Sequence, residues 1–140
     1  MSIQETENQL LAEFDQFEDW IDKYNYLIEL GKELPVMDDK YKTDKNLISG
    51  CQSQVWLHAS FEDGKIYFKA DSNTVITKGI ISLLVRLLSG RTPDEIIDAE
   101  LEIINKIGLT DHLSPTRSNG LMSMIKQMKL FAYAFKMKQQ

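Results

Sequence analysis

The sequence is poor in the residue types that form disulfides and metal centres. Its 140 residues contain one cysteine, Cys51, and two histidines, His58 and His112. One cysteine excludes an internal disulfide and fits a reducing compartment. It also excludes an iron–sulfur cluster held in the usual way by this chain alone, because such clusters use about four thiolates. Since the two histidines lie far apart and share no ligand spacing with Cys51, we expect no zinc site.

Positive charge and long apolar runs are also scarce. The chain carries 16 lysines and arginines against 21 acidic residues, and the net charge of −5 argues against a nucleic-acid binder that works by neutralising phosphates. The most apolar run, Val75–Leu88, is too short to span a bilayer and contains two cations. The acidic N-terminus resembles neither a signal peptide nor a transit peptide. We therefore expect one cytoplasmic domain over residues 1–140, with neither nucleic acid nor membrane as a partner.

Apolar periodicity predicts helices at the N-terminus and an antiparallel hairpin in the middle of the chain. Helical spacing of apolar side chains indicates two short helices that meet near Glu18–Asp19, the second ended by Gly31 and then Pro35. From Val55 the apolar period changes to two. The dipeptide Asp63-Gly64 interrupts this alternation, and both of its residues tolerate positive φ, which favours a tight hairpin turn.

The helix after the hairpin is predicted from its composition. Ser72 can cap it, and Val75–Leu88 fills it with apolar residues around most of its circumference. Gly79 in its middle costs about 0.5–1 kcal/mol against alanine. Either the glycine is a neutral substitution that arose by drift, or another backbone passes close to it.

Start and stop signals predict the C-terminal helices. Thr92–Glu95 has the sequence of a capping box with proline in the first turn. Gly108 ends the next helix, and Ser114-Pro115 begins the last one. Helices, a small antiparallel sheet and then more helices make an α+β fold in which helices cover one face of the sheet.

Cys51 lies directly after Gly50 and before Gln52 and Ser53, where the predicted loop enters the first strand. A lone cysteine is most often a small buried hydrophobe. A glycine that permits a tight turn and a loop position favour a presented, reactive thiol instead. Such a thiol needs a lowered pKa, to which polar neighbours and free backbone N–H groups contribute. A hydrolase with a Cys–His pair is a further alternative, but no local signature joins Cys51 to His58 or His112.

Four motifs occur in one order along most of the chain, from about Trp20 to about Phe135. They are "LIELGKELP", "GCQSQVW", "ADS" followed by "KG", and "SPTRSNGL". With these motifs the sequence resembles the SufE family of sulfur-acceptor proteins. The sister CsdE proteins share the pattern, so the subgroup stays open. The resemblance implies a fold similar to that of the cluster scaffold IscU, whose ligand cysteines this chain lacks.

The resemblance implies a sulfur carrier rather than an enzyme. Family members take sulfane sulfur from a SufS-type cysteine desulfurase, hold it as a persulfide on the cysteine that matches Cys51, and pass it to the SufBCD scaffold. They also stimulate the desulfurase. No cofactor is implied for this chain, because pyridoxal phosphate belongs to the desulfurase. A homodimer is possible. The alternative is a regulatory module that docks on the desulfurase without carrying sulfur.

The resemblance also assigns expected roles to residues around the cysteine. Family members hold the cysteine loop toward an apolar cavity at rest, so Gly50 is the expected hinge. Trp56 and the Val75–Leu88 helix are the expected neighbours, with Gly79 and Gly120 permitting close packing.

Arg117 matches the arginine of the "SPTRSNG" motif. We hypothesise that it favours the thiolate or persulfide anion; the alternative is an ion pair with an acid such as Asp71. Asp71 and Ser72 either cap the next helix or touch the partner.

Overall fold

The computed structural model describes residues 1–139 and shows an α+β fold with a two-stranded antiparallel sheet, as the sequence predicted. The elements in chain order are α1 (Ile3–Phe14), α2 (Trp20–Lys32), β1 (Val55–Glu62), β2 (Lys65–Ser72), α3 (Val75–Leu88), α4 (Pro93–Asp98), α5 (Ile103–Ile107), α6 (Leu109–His112) and α7 (Pro115–Gln139). Two short 3-10 helices, Asp39–Tyr41 and Asp44–Asn46, lie between α2 and β1.

The hairpin forms where the alternation predicted it. Val55 pairs with Ser72 at one end and Glu62 pairs with Lys65 at the other. Asp63 and Gly64 connect the strands with φ of 51° and 79°, which is the backbone that a tight two-residue turn requires. The inward side chains of both strands, with Val55 and Ile66 at 0% exposure, lie in the core, and β2 packs against α3.

Helices α2 and α3 cross at two glycines. A Cβ on Gly79 would clash with the carbonyl group of Leu27, and a Cβ on Gly31 would lie 2.8 Å from the backbone nitrogen of Gly79. The close approach of another backbone at Gly79 is therefore confirmed. Gly31 does not end α2 as predicted: it is buried inside the helix, which continues to Lys32. Its missing side chain serves packing and not helix termination.

The predicted cap of α3 is wrong. Ser72 is the last residue of β2, and its hydroxyl donates to the carbonyl oxygen of Gln54 at 2.8 Å. The N-cap of α3 is Thr74, which makes no side-chain capping bond. The cap lies two residues later than predicted, because Ser72 is paired with Val55 across the hairpin.

The C-terminal helices follow their predicted signals. Thr92 and Glu95 form the capping box at the start of α4, and Gly108 ends α5 with φ of 94°. Ser114 caps α7, accepting from the backbone N–H of Arg117 at 3.3 Å. The short helix α6 was not predicted. Among the described residues, no helix is both long enough and apolar enough to cross a membrane.

Candidate functional site

Cys51 lies in a short loop whose base is tied to the hairpin. The N–H of Ile48 donates to the carbonyl oxygen of Val55 at 2.9 Å, and the N–H of Gln54 donates to the side chain of Asn73 at 3.1 Å. The five residues between these two anchors, Ser49–Ser53, form what we call the cysteine loop. Because its two ends are held close together, the loop is presented as a unit at the start of β1.

The thiol of Cys51 points toward the first half of α7. It donates to the carbonyl oxygen of Gly120 at 3.6 Å, and a Cβ on Gly120 would lie 3.6 Å from Sγ. The thiol lines a cavity of about 70 Å³. The residues that share this cavity with it are Gln52, Ser53, Thr77, Ile80, Thr116, Arg117, Gly120 and Met124. The α3 helix is thus a neighbour of Cys51, as expected, through Thr77 and Ile80.

The closed loop favours the neutral thiol. Burial raises the pKa of Cys51, because the cavity removes water that would solvate a thiolate. The contact with a carbonyl oxygen also suits a thiol that carries its proton. In this conformation the thiol is half-buried, and its raised pKa makes it a weaker nucleophile at neutral pH.

Gly50 adopts a backbone that suits only glycine. Its φ is 89°, and a Cβ there would clash with the hydroxyl of Ser123 on α7. Both facts allow the cysteine loop to lie flat on α7. The position fits the hinge role expected for Gly50, which stays a prediction.

Ser53 and Gln52 differ in how firmly they are held. The hydroxyl of Ser53 is reached by the hydroxyls of Thr74 at 3.1 Å and Thr77 at 3.4 Å. Gln52 is exposed at the edge of the cavity. Ser53 therefore ties one side of the loop to the start of α3.

Arg117 shares the cavity with Cys51 but its guanidinium is directed elsewhere. It donates to the hydroxyl of Tyr24 at 3.4 Å. The alternative ion pair between Arg117 and Asp71 is wrong, because Asp71 binds Lys42 at 2.8 Å and Lys78 at 3.4 Å. Burial raises the pKa of Cys51, and the hydrogen bond that Arg117 donates goes to Tyr24 and not to the thiol.

Asp71 joins three segments next to the cysteine loop. Burial acts to raise its pKa, but the hydrogen bonds from Lys42 and the N–H of Ser72, together with the charges of Lys78 and Lys42, lower it overall. Lys42 precedes the loop and Lys78 lies in α3. Asp71 therefore ties β2 to the segment before the loop and to α3, and it does not cap α3.

The two histidines and Trp56 lie outside the cavity. His58 stacks on Tyr41 at 4.2 Å between ring centroids, and His112 stacks on Trp20 at 4.4 Å. Neither histidine nor Trp56 lines the cavity of Cys51, so the expected contact with Trp56 is absent from it. Residues 1–139 hold no group of three or more histidine, cysteine, aspartate or glutamate side chains placed for a metal ion.

A larger cavity, of about 680 Å³, lies away from the cysteine. Its lining includes Leu101 and Ile104 on one side and Ile125 and Tyr133 of α7 on the other. It contains no thiol and no histidine. The chemistry of the side chains, and not the size of the cavity, selects the cysteine loop as the candidate site.

The chain is similar to members of one family along most of its length. Residues 8–132 match the family described as "SufE: Fe-S metabolism associated domain". The chain is 43% identical over 128 residues to an uncharacterized SufE-like protein of Rhizobium meliloti (strain 1021), covering 87% of this chain and 91% of that one. It is 44% identical over 108 residues to SufE-like protein 1, chloroplastic/mitochondrial, of Arabidopsis thaliana, covering 76% of this chain and 29% of the plant protein.

A solved structure shares the fold. The solution structure of a hypothetical protein from Thermus thermophilus superposes with a TM-score of 0.75 and 19% sequence identity, covering 92% of this chain and 94% of the other. At that identity the likeness concerns the fold alone.

Proposed function

This chain belongs to the SufE family, whose domain is associated with Fe–S metabolism, and we propose that it is a sulfur carrier that holds sulfane sulfur as a persulfide on Cys51. The observation that supports this most is the position of the chain's one thiol. It sits on a short loop with a glycine at positive φ, and it rests in a small cavity against α7.

The proposed step is a transfer between two sulfur atoms. The thiolate of Cys51 attacks the outer sulfur of a persulfide on the donor protein. A new S–S bond forms on Cys51, the donor's S–S bond breaks, and the donor cysteine leaves as a thiolate. The sulfane sulfur moves without any net oxidation or reduction, and the proton released by Cys51 balances the one that the donor thiolate takes up.

A single thiol suits a carrier of this kind. A second thiolate nearby would attack the persulfide, form a disulfide and release the sulfur as sulfide. Cys51 is the chain's one cysteine, so no such partner exists within it. The cavity of about 70 Å³ is several times the roughly 10–15 Å³ that one water needs, which leaves room for one added sulfur atom.

Delivery requires the cysteine loop to leave α7. Opening breaks the long thiol contact to Gly120 and the hydroxyl contacts of Ser53 with α3. The anchors at Ile48 and Gln54 stay in place. Few strong bonds hold the loop closed, so a donor protein needs to supply little binding energy to expose the thiol. Exposure also returns the pKa of Cys51 toward its ordinary value, which makes the thiolate available when the donor is present.

The finer assignments follow the family resemblance and are part of the same proposal. The donor is a SufS-type cysteine desulfurase, which carries the pyridoxal phosphate and is stimulated when its persulfide is cleared. The recipient is the SufBCD scaffold, and the compartment is the cytoplasm. This chain carries no cofactor of its own.

Intact mass spectrometry tests the proposal. The protein is incubated with a SufS-type desulfurase, pyridoxal phosphate and cysteine, next to a Cys51→Ser variant. We expect wild type to gain the mass of one sulfur, reversed by reductant, and the variant to gain none. If wild type gains nothing while it still stimulates the desulfurase, the chain is a docking module and the carrier function is refuted.

A further inference from the structure

A second surface combines unpaired positive charge with an open strand edge. A cavity of about 520 Å³ lies between the segment before the cysteine loop, β1 and α7. Its lining consists of Lys40, Tyr41, Thr43, Lys45, Asn46, His58, Ala59 and Phe131. We call this cavity the lysine pocket. A volume of this size is typical of sites that bind ligands.

The lysines around this pocket lack carboxylate partners. Lys40 lies 5.0 Å and Lys69 5.3 Å from the ring centre of Tyr41, and Lys45 lines the cavity itself. All three side chains are exposed, and none belongs to an ion pair within residues 1–139. On a chain with a net charge of −5, such a cluster is a local exception that attracts negative charge.

His58 reports the same local field. Burial is the first cause that lowers its pKa, and the charges of Lys69, Lys40 and Lys45 lower it further. Its ring stacks on Tyr41, which fixes it at the floor of the pocket. Burial and the three nearby cations therefore both favour the neutral imidazole.

The outer edge of β1 has unpaired backbone groups at Ala59, which lines the pocket, and at Phe61 beyond it, whose ring stacks on Phe135 of α7. The carbonyl oxygen of Val55 points away from β2, because it accepts from Ile48. Backbone direction alternates along a strand, so the N–H and C=O groups of Ala59 and Phe61 point to the same outer side. Neither residue has a backbone partner on that side in the described part of the chain. An unpaired edge of this kind can add an extended segment as a further strand.

We propose that the lysine pocket binds an extended acidic segment of a partner protein, which pairs with the outer edge of β1 and places carboxylates against Lys40, Lys45 and Lys69. The open edge offers hydrogen bonds that a peptide backbone can complete, and the three cations attract negative side chains. Side chains alternate across a strand, so acidic residues at every second position would all face the lysines.

The pocket is separate from the sulfur chemistry but close to it. Phe131 lines the pocket and Gly120 contacts Cys51, and these positions on α7 are about 16 Å apart at 1.5 Å per residue. A segment held in the pocket would keep its protein next to the cysteine loop. This inference does not depend on sulfur transfer, because the binding surface exists whether or not Cys51 carries sulfur.

Fluorescence anisotropy with a labelled peptide of alternating threonine and glutamate tests the proposal. We expect the peptide to bind wild type. We expect Lys45→Glu and Lys69→Glu each to weaken binding more than about tenfold, since each places two negative charges where opposite charges attracted each other. Lys65→Glu is the matched control, because Lys65 is exposed and lies on the same strand and face as Lys69. A peptide with glutamine in place of glutamate should not bind.

N-methylated peptides test the strand pairing without altering the protein. Methyl groups on the amides that face β1 should abolish binding, whereas methyl groups on the alternate amides should leave it. Bound peptide should also raise the pKa of His58 in a proton NMR titration, with the resonance of His112 as the internal reference. Four results would overturn the proposal. They are an equal loss of affinity with Lys65→Glu, equal binding of the glutamine peptide, binding that does not depend on which amides are methylated, and tighter binding of a single-stranded oligonucleotide.

Discussion

The crossing of α2 and α3 and the cysteine loop on α7 are both close contacts made at glycines, but they are built differently. At the crossing, Gly31 and Gly79 bring two backbones together with no side chain between them. At the loop, Gly50 lies against the flexible end of a serine side chain, and Gly120 lies against the thiol of Cys51. Backbone meets backbone in the first case, and loop meets side chain in the second.

This difference separates a contact between two backbones from the contact that opens in the proposed function. Two packed helices have no alternative arrangement at the crossing, because each backbone occupies the space next to the other. The cysteine loop is held by a long thiol contact and by two hydroxyl contacts, and these are bonds that water can replace. The following variants test this contrast, from the largest expected effect to the smallest.

Gly79→Ala should cause the largest loss of stability. Its Cβ would clash with the Leu27 carbonyl oxygen and lie 2.8 Å from the carbonyl carbon. We expect a loss of about 1–3 kcal/mol or more in the free energy of unfolding, which outweighs the roughly 0.5–1 kcal/mol that alanine gains in a helix. Urea denaturation measures it. Gly120→Ala is the control, since its Cβ would meet Sγ at an ordinary 3.6 Å; equal losses for both variants would contradict the contrast.

Gly50→Ala should open the loop while leaving the scaffold folded. An alanine at φ of 89° is strained by about 1–2 kcal/mol, and its Cβ would also press on Ser123. We expect faster alkylation of Cys51 by iodoacetamide, followed by mass spectrometry. Gly64→Ala has similar backbone strain at φ of 79° but no atom within 4 Å of its Cβ, so it should destabilise the hairpin without speeding alkylation. Unchanged alkylation in Gly50→Ala would argue against the hinge.

The titration of Cys51 should make the folded protein less stable at alkaline pH. Burial raises its pKa above the ordinary value of 9.0, so the folded state keeps a proton that the unfolded state has already lost. The stabilisation is complete below the unfolded pKa and is lost as the pH rises through the folded pKa. Comparing urea midpoints of wild type and Cys51→Ser from neutral pH upward isolates this effect. If the stability of wild type relative to Cys51→Ser instead rises with pH, the prediction is contradicted.

Arg117→Ala should change the chemistry of the closed thiol least. Its guanidinium donates to Tyr24 and not to the thiol, and burial raises the pKa of Cys51. We expect the pH midpoint of Cys51 alkylation to stay the same in this variant. A clear upward shift of that midpoint would show that Arg117 stabilises the thiolate after all, as the sequence hypothesis held.

The sequence predicts best what short-range patterns decide. Alternation around Asp63-Gly64 located the hairpin, and the capping box located α4, because a few neighbouring residues fix each of them. The predicted cap at Ser72 is wrong because cross-strand pairing with Val55 overrides a local capping preference. The predicted helix end at Gly31 is wrong for a similar reason, since the role of Gly31 is set by α3, which lies far along the chain.

The surroundings of Cys51 could be predicted only in part. Gly50 and the following polar residues mark the loop, but nothing local links Thr77 or Met124 to the thiol. The lysine pocket could not be predicted either, because Lys45 and Lys69 come from segments on opposite sides of the cysteine loop. Only the fold brings these residues together.

The lifetime of the persulfide tests most directly whether the cysteine loop shelters the sulfur that it carries. Wild type and Gly50→Ala are loaded with sulfur by the desulfurase, separated from it and exposed to dithiothreitol, and the loss of one sulfur is followed by intact mass. A sheltering loop predicts slow loss from wild type and faster loss from Gly50→Ala. Equal, rapid loss from both would show that the closed loop does not protect the persulfide and would contradict the account.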